Sequence, residues 1–361
     1  MRHETVSRGA RRRAHHARFA PRFAILLLTI QLFGCPPARP PSRSGPTLDE
    51  DVQFPDEAAA AVPERHPASE RVARGEALLV ERQLDRAEAE FREAIAQSPE
   101  DPRAHLDLGL ALELRDALGE AEASYRHALA LDPGFPEAMN NLGLLLRDLG
   151  RLDEAIAMLR RAIESRPDYA EAHVNLAMAV EESGDRAGAL VVYREAVRLA
   201  PNAALPRANL GMLLVELGQT DQAAIELRRA LPLARGDAVA LAAIGTGLRR
   251  AGDLAGAARA MQMAIEARPE GPTPALLAEL ALAQRGTGDL AAAEQSLVQA
   301  LALGPDYAMG HYLLAGVLAA RGALEEAIAH YEACLAAEPD GAVSERARRN
   351  LQTLRGALRT R

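Results

Sequence analysis

The sequence predicts an all-α solenoid of about eight helical hairpins closed by a C-terminal capping helix, and three regularities predict it. Pro99, Pro133, Pro167 and Pro201 stand 34 residues apart; Arg235 takes the next such place, Pro269 the one after, and Pro305 and Pro339 resume the series after a two-residue insertion. Small residues keep the same register: Gly75, Gly109, Gly143, Ala177, Gly211, Gly245, Ala281 and Ala315 at the eighth place, alanine from Ala87 to Ala327 at the twentieth, and alanine seven times with Cys334 once at the twenty-seventh. Each period also holds two apolar stripes of helical spacing, as in Leu142, Leu146 and Leu149, then Gly150, then Ala155, Leu159, Ala162 and Ile163. Two such stripes parted by a turn residue and ended by proline are two helices. One pair buries too little area to stand alone, so a 34-residue period of pairs must stack into an array. With aromatics at 3% and no tryptophan, its interior is filled by alanine and leucine, which favours helix.

In chain order, residues 1–22 carry seven arginines against Glu4, and the apolar run "FAILLLTIQLFG" follows from Phe23 to Gly34. A basic segment and then a short apolar one is the layout of a secretory signal over 1–34. Twelve residues are too few to span roughly 30 Å of hydrocarbon as a helix. Leu32, Phe33, Gly34 and Cys35 resemble the lipobox of bacterial lipoproteins, which implies that Cys35 is lipidated; Phe33 is bulkier than is usual there. Residues 36–67 contain eight prolines and little apolar periodicity, so 35–67 reads as a lipidated cysteine and a stiff, unfolded tether. The hairpins are then expected at 68–101, 102–135, 136–169, 170–203, 204–237, 238–271, 274–307 and 308–341, with Pro232 inside the second helix of the fifth and the "PEGPTP" stretch, 269–274, as the insertion; a bend is expected there. Residues 342–361 read as a polar capping helix and a basic tail.

The repeated small residue 8, alanine 20, aromatic or leucine 24, alanine 27 and proline 32 resemble the tetratricopeptide repeat family over 68–341. The position-4 tryptophan of that family is absent, replaced by residues such as His105, Met139, His173 and Leu241; Arg71 and Arg74 in the first repeat suit an end that faces water. The resemblance implies a right-handed superhelix whose concave groove is lined by first-helix positions 2, 5, 6, 9, 12 and 13. Asn141, Asn175 and Asn209, with Asp107 before them, hold position 6, where the family can grip an extended peptide backbone, since an amide both donates and accepts. Leu110, Leu144, Met178 and Met212 hold position 9 beside them, and Glu181 and Glu182 add charge. Over 102–237 the lining positions carry eight acids against Arg103 and Arg147; over 238–341 they carry Glu279 against Arg249, Arg250 and Arg285. The implied partners are protein or peptide segments, basic and apolar.

Other chemistries are expected to be absent. All 42 basic residues are arginines, and without residues 1–34 the chain keeps 35 of them against 49 acids, a net charge of about −14 that repels nucleic acid. His105, His127, His173, His311 and His330 lack metal-ligand spacing, so no metal is expected. "GTG" at 245–247 begins at the small position 8 and follows no strand, so it is no phosphate loop. Cys334 fills an alanine-type position as an inert buried thiol. Arg92, Arg126, Arg160, Arg194 and Arg228 recur at position 25, and Glu88 and Glu122 stand four residues before the first two. No catalytic constellation, cofactor or small-molecule substrate is read. The layout resembles tetratricopeptide lipoproteins that serve pilus, secretion or wall-synthesis machinery; it implies a scaffold facing the periplasm in the bacterial cell envelope, at the outer membrane because Pro36 is not aspartate. Two other readings stay open: an accessory subunit of an envelope enzyme, and a cytoplasmic adaptor whose true start lies downstream of Met1.

Overall fold

A computed structural model describes residues 67–359. The signal, Cys35 and the tether over 36–66 lie outside them. The described residues form seventeen α-helices and one short 3-10 helix, with no strand among them, in two compact units that divide after Ser165.

The first unit holds α1 (Pro67–Val80), α2 (Leu84–Gln97), α3 (Pro102–Leu114), α4 (Leu118–Leu131), α5 (Pro136–Asp148) and α6 (Leu152–Ser165). Helices pair as α1 with α2, α3 with α4 and α5 with α6, and α2 then stacks on α3 and α4 on α5. The second unit continues the plan with α7 (Ala170–Glu182), α8 (Arg186–Leu199), α9 (Ala204–Glu216), α10 (Thr220–Ala230), α11 (Ala238–Arg250), α12 (Leu254–Glu266), α13 (Pro274–Gly286), α14 (Leu290–Leu303), α15 (Ala308–Arg321) and α16 (Leu324–Ala337). It closes on α17 (Ser344–Arg359), whose Ala347 and Leu351 are buried with Val343 against Tyr331 and Cys334 while Asn350 donates to the Tyr331 hydroxyl at 3.0 Å. The chain is therefore an all-α helical-hairpin solenoid with a capping helix.

Packing explains the residue register. The eight alanines at position 20, the seven alanines at position 27 and Cys334 are all fully buried. Position 8 is small because it faces the large residue at position 24 of its paired helix. A Cβ placed on Gly109 would lie 2.5 Å from Tyr125, and one on Gly143 would lie 2.6 Å from Leu159. No real side chain tolerates such a distance, so the helices would have to part.

Each hairpin turns on a residue with positive φ. Six of the eight are glycines, Gly150 (φ 78°) among them, so this residue makes the turn and does more than interrupt a stripe. Arg82 (φ 58°) and Asp116 (φ 63°) hold the same place in the first two hairpins, where a side chain costs roughly 1–2 kcal/mol more than glycine.

One further detail corrects the sequence reading, and another adds to it. Pro232 does not sit within an α-helix: α10 stops at Ala230, and the chain tightens into a 3-10 helix, Leu231–Ala234, because a proline early in a turn has no N–H to leave unpaired. At three of the eight position-4 places the missing tryptophan is replaced by a polar arm that reaches back six residues to a proline carbonyl. His105 Nε2 meets Pro99 O at 3.0 Å, His311 Nε2 meets Pro305 O at 2.8 Å, and Arg207 Nη2 donates to Pro201 O at 3.1 Å.

Candidate functional site

The sequence-predicted groove residues all lie on first helices of hairpins: Asp107 and Leu110 on α3, Asn141 and Leu144 on α5, Asn175, Met178, Glu181 and Glu182 on α7, and Asn209 and Met212 on α9. The two units are taken separately.

In the first unit the site is built around Tyr125, which α4 buries completely. Its hydroxyl donates to Glu113 Oε2 at 2.8 Å and accepts a hydrogen bond from the Asn141 amide on α5. Asp107 is 5% exposed and accepts from Arg103 Nε at 3.0 Å, one turn earlier on α3; Arg103 also reaches Glu76 on α1 at 2.7 Å. Arg147, buried on α5, pairs with Asp148 at 3.0 Å. Burial pushes the Asp107 carboxyl up to about 7 against the pull of Arg103. It pushes Glu113 up to about 7 as well, against the Tyr125 hydrogen bond. The acidic face counted from sequence is thus weaker than its formal charge, because burial favours the protonated form of these two carboxyls. Leu110 and Leu144 are half-buried nearby on the same two helices.

In the second unit the same pairing recurs: the Tyr193 hydroxyl donates to Glu181 Oε2 at 3.1 Å, twelve residues away as in the first. Burial raises the Glu181 carboxyl, and Glu216 raises it further. Glu182 is exposed, Asn175 is buried, and Met178 and Met212 are half-buried. The Met212 sulfur lies against Gly247 on α11, where an added Cβ would approach it to 2.8 Å, so first helices of successive hairpins touch there. Asn209 is different in kind. Its Nδ2 is the one buried side-chain nitrogen or oxygen among the described residues that has no hydrogen-bond partner.

Sequence reasoning missed Tyr125 and Tyr193 as polar members of the site, having read position 24 only as the aromatic or leucine of the repeat pattern. The signal that would have found them is the twelve-residue offset from a glutamate at position 12. It also treated the histidines as isolated. His311 Nε2 must donate to the Pro305 carbonyl, so its Nδ1 accepts the proton of His330 Nδ1, 2.9 Å away. The rings of His105 and His127 lie 4.2 Å apart. Neither pair has a third ligand: no group of three or more histidine, cysteine, aspartate or glutamate residues suited to a metal ion occurs among the described residues. Cys334 is buried with its thiol pushed up by that burial. No helix among the described residues is long and apolar enough to cross a membrane.

Comparison with known proteins gives the following. A family model described as tetratricopeptide repeat matches residues 72–136, 140–204 and 278–342, and a second model of the same description matches 181–245. No curated protein matches the chain. Among solved structures, the hetero-tetramer Cut9–Hcn1 of the APC/C aligns at TM-score 0.50 and 20% identity over 79% of this chain and 55% of that one; the chain thus spans about half its length. Pseudomonas aeruginosa pilF aligns at TM-score 0.49 and 20% identity over 56% of this chain and 92% of that one.

Proposed function

Because this chain belongs to the tetratricopeptide repeat family, whose arrays serve as protein-interaction scaffolds, we propose that the first-helix faces of its units hold extended segments of partner proteins. The observation that carries the reading is the orphaned Asn209 amide. A buried donor without an acceptor costs about 1–3 kcal/mol, and a backbone carbonyl of a bound segment would recover it. Met212, three residues on along α9, and Met178 on α7 are unbranched and adaptable, which suits partners of varied shape. Glu181 and Glu182 favour a segment that carries basic residues, with an affinity that falls as salt rises.

The test is a pull-down from envelope extract with three variants of the full chain. Asn209→Ala, Asn141→Ala with Asn175→Ala, and Glu181→Arg with Glu182→Arg are each expected to lose partners that the wild type retains. Partners held equally by all three would place binding elsewhere and overturn the reading.

The proposal extends to location. Lipid on Cys35 and a tether over 36–66, which ends where α1 begins at Pro67, would hold the scaffold at the periplasmic face of the outer membrane, where it would assemble envelope complexes. Cys35→Ala is expected to release the protein from membranes or to block its processing. A variant that fractionates like the wild type removes the anchor and the envelope from the proposal.

A further inference from the structure

A cleft of about 390 Å³ opens on the second-helix side of the second unit, between α8, α9 and α10. Its floor is Val197, Leu210, Leu214 and Ile225, and Arg194 and Arg229 stand on its rim. The volume falls within the range of roughly 300–1,000 Å³ typical of built ligand pockets. Leu210 and Leu214 lie on the first helix α9 but at positions 7 and 11, outside the groove-lining set, and the other lining residues lie on second helices.

The place is singled out twice. Ile225 is 45% exposed and Val191 is 66% exposed, and the two hold the same position, 22, in successive hairpins. In the other six hairpins that position is Ala89, Ala123, Ala157, Arg259, Gln295 or Ala329. Large aliphatics stand out toward solvent at this register only in these two hairpins, Ile225 lining the cleft and Val191 one turn before its Arg194 on α8, and neither is needed for pairing the helices, which alanine serves elsewhere.

Charge gives the second mark. Glu226 is shared by Arg207 at 2.8 Å and Arg229 at 2.9 Å, so one carboxylate answers two guanidiniums. Neighbouring Arg198 is matched by Glu195 and Arg228 by Asp253. Arg194 makes no ion pair among the described residues, and the exposed Gln222 also lines the cleft. In a chain of net charge −8 this patch carries surplus positive charge over an apolar floor.

We propose that this cleft docks a segment of a partner protein in which an aliphatic side chain lies next to a carboxylate. The aliphatic group covers Ile225 and Leu214, and the carboxylate accepts a bidentate pair from Arg194, whose planar fork matches it. Such a segment is opposite in charge to the one favoured by the first-helix face, so one chain would join two different partners.

The experiment selects a random peptide library on the full chain, and binds each recovered peptide again to Ile225→Asp and to Arg194→Glu. Both sites are exposed, and unchanged circular dichroism and unfolding midpoint check that each variant folds. Peptides that lose about tenfold or more in affinity on both variants should be enriched for aspartate or glutamate beside leucine, isoleucine or valine, and should bind Asn141→Ala with Asn175→Ala as they bind the wild type. Arg194→Lys should recover only part of the affinity. The proposal is overturned if no peptide depends on the two residues, if those that do are basic or lack a carboxylate, or if only anionic phosphatidylglycerol vesicles respond to the substitutions. Loss of binding by the Asn141 and Asn175 variant with the cleft variants unaffected would support the first-helix face alone.

Discussion

Tyr125→Ala is expected to lower the stability of the first unit by about 3–5 kcal/mol, the range for deleting a fully buried aromatic side chain. The ring is what Gly109 makes room for, and its hydroxyl is the donor that Glu113 accepts from and the acceptor for Asn141. Removal therefore opens a cavity between α3 and α4 and strips a buried carboxyl of its partner. Tyr125→Phe keeps the packing and loses only the hydroxyl, so about 1–3 kcal/mol is expected. Because stability in a repeat array is local, the measurement is hydrogen exchange resolved over α3 to α5 alongside urea unfolding. Equal losses for the two variants would mean that the ring contributes nothing by packing.

The second large effect is on pH. Asp107 and Glu113 have ordinary values of 3.8 and 4.5 and stand at about 7 when folded. Between those limits the folded chain binds more protons than the unfolded one, so stability must fall as pH rises. Their contribution is full below about 4 and drains away as pH rises through about 7, at roughly 1 kcal/mol per pH unit for each group at steepest. Protection of α3 to α5 should accordingly be greater at mildly acid pH than above 8. In Asp107→Asn with Glu113→Gln this slope should flatten, and the variant should exceed the wild type above pH 8. A basic partner segment would work against the same protons: by favouring the ionised carboxylates it should release protons on binding. A variant with an undiminished slope would assign the effect to other groups.

The fold was legible because its rules are one-residue rules. A helix pair packed this closely admits only small residues at positions 8, 20 and 27, and all but one of the periods end on a proline, so the register could be read without knowing any contact. Pairings between helices were less legible. The link from Glu113 to Tyr125 needs two residues at a fixed offset, and each looked ordinary alone, one as a charged face and the other as core. The turns show the limit from another side. Glycine marks six of them, but Arg82 and Asp116 adopt the left-handed conformation because the paired helices impose it, a tertiary demand that no local preference announces. The cleft was invisible because exposure of Val191 and Ile225 is a fact about their neighbours.

The two phenol–carboxylate pairs have a consequence outside binding and stability. With no tryptophan among 361 residues, the chain's emission under ultraviolet light comes from its six tyrosines. A phenol becomes a far stronger acid on excitation, and one that already donates to a carboxylate loses its proton within the excited-state lifetime and goes dark at its usual wavelength. Tyr125 and Tyr193 are therefore expected to be dim while their helices stay paired, and each is expected to brighten when its own pair opens. The protein carries a separate optical label in each unit, so that the order in which the units come apart can be followed in unmodified material, with Tyr125→Phe and Tyr193→Phe telling which label is being seen.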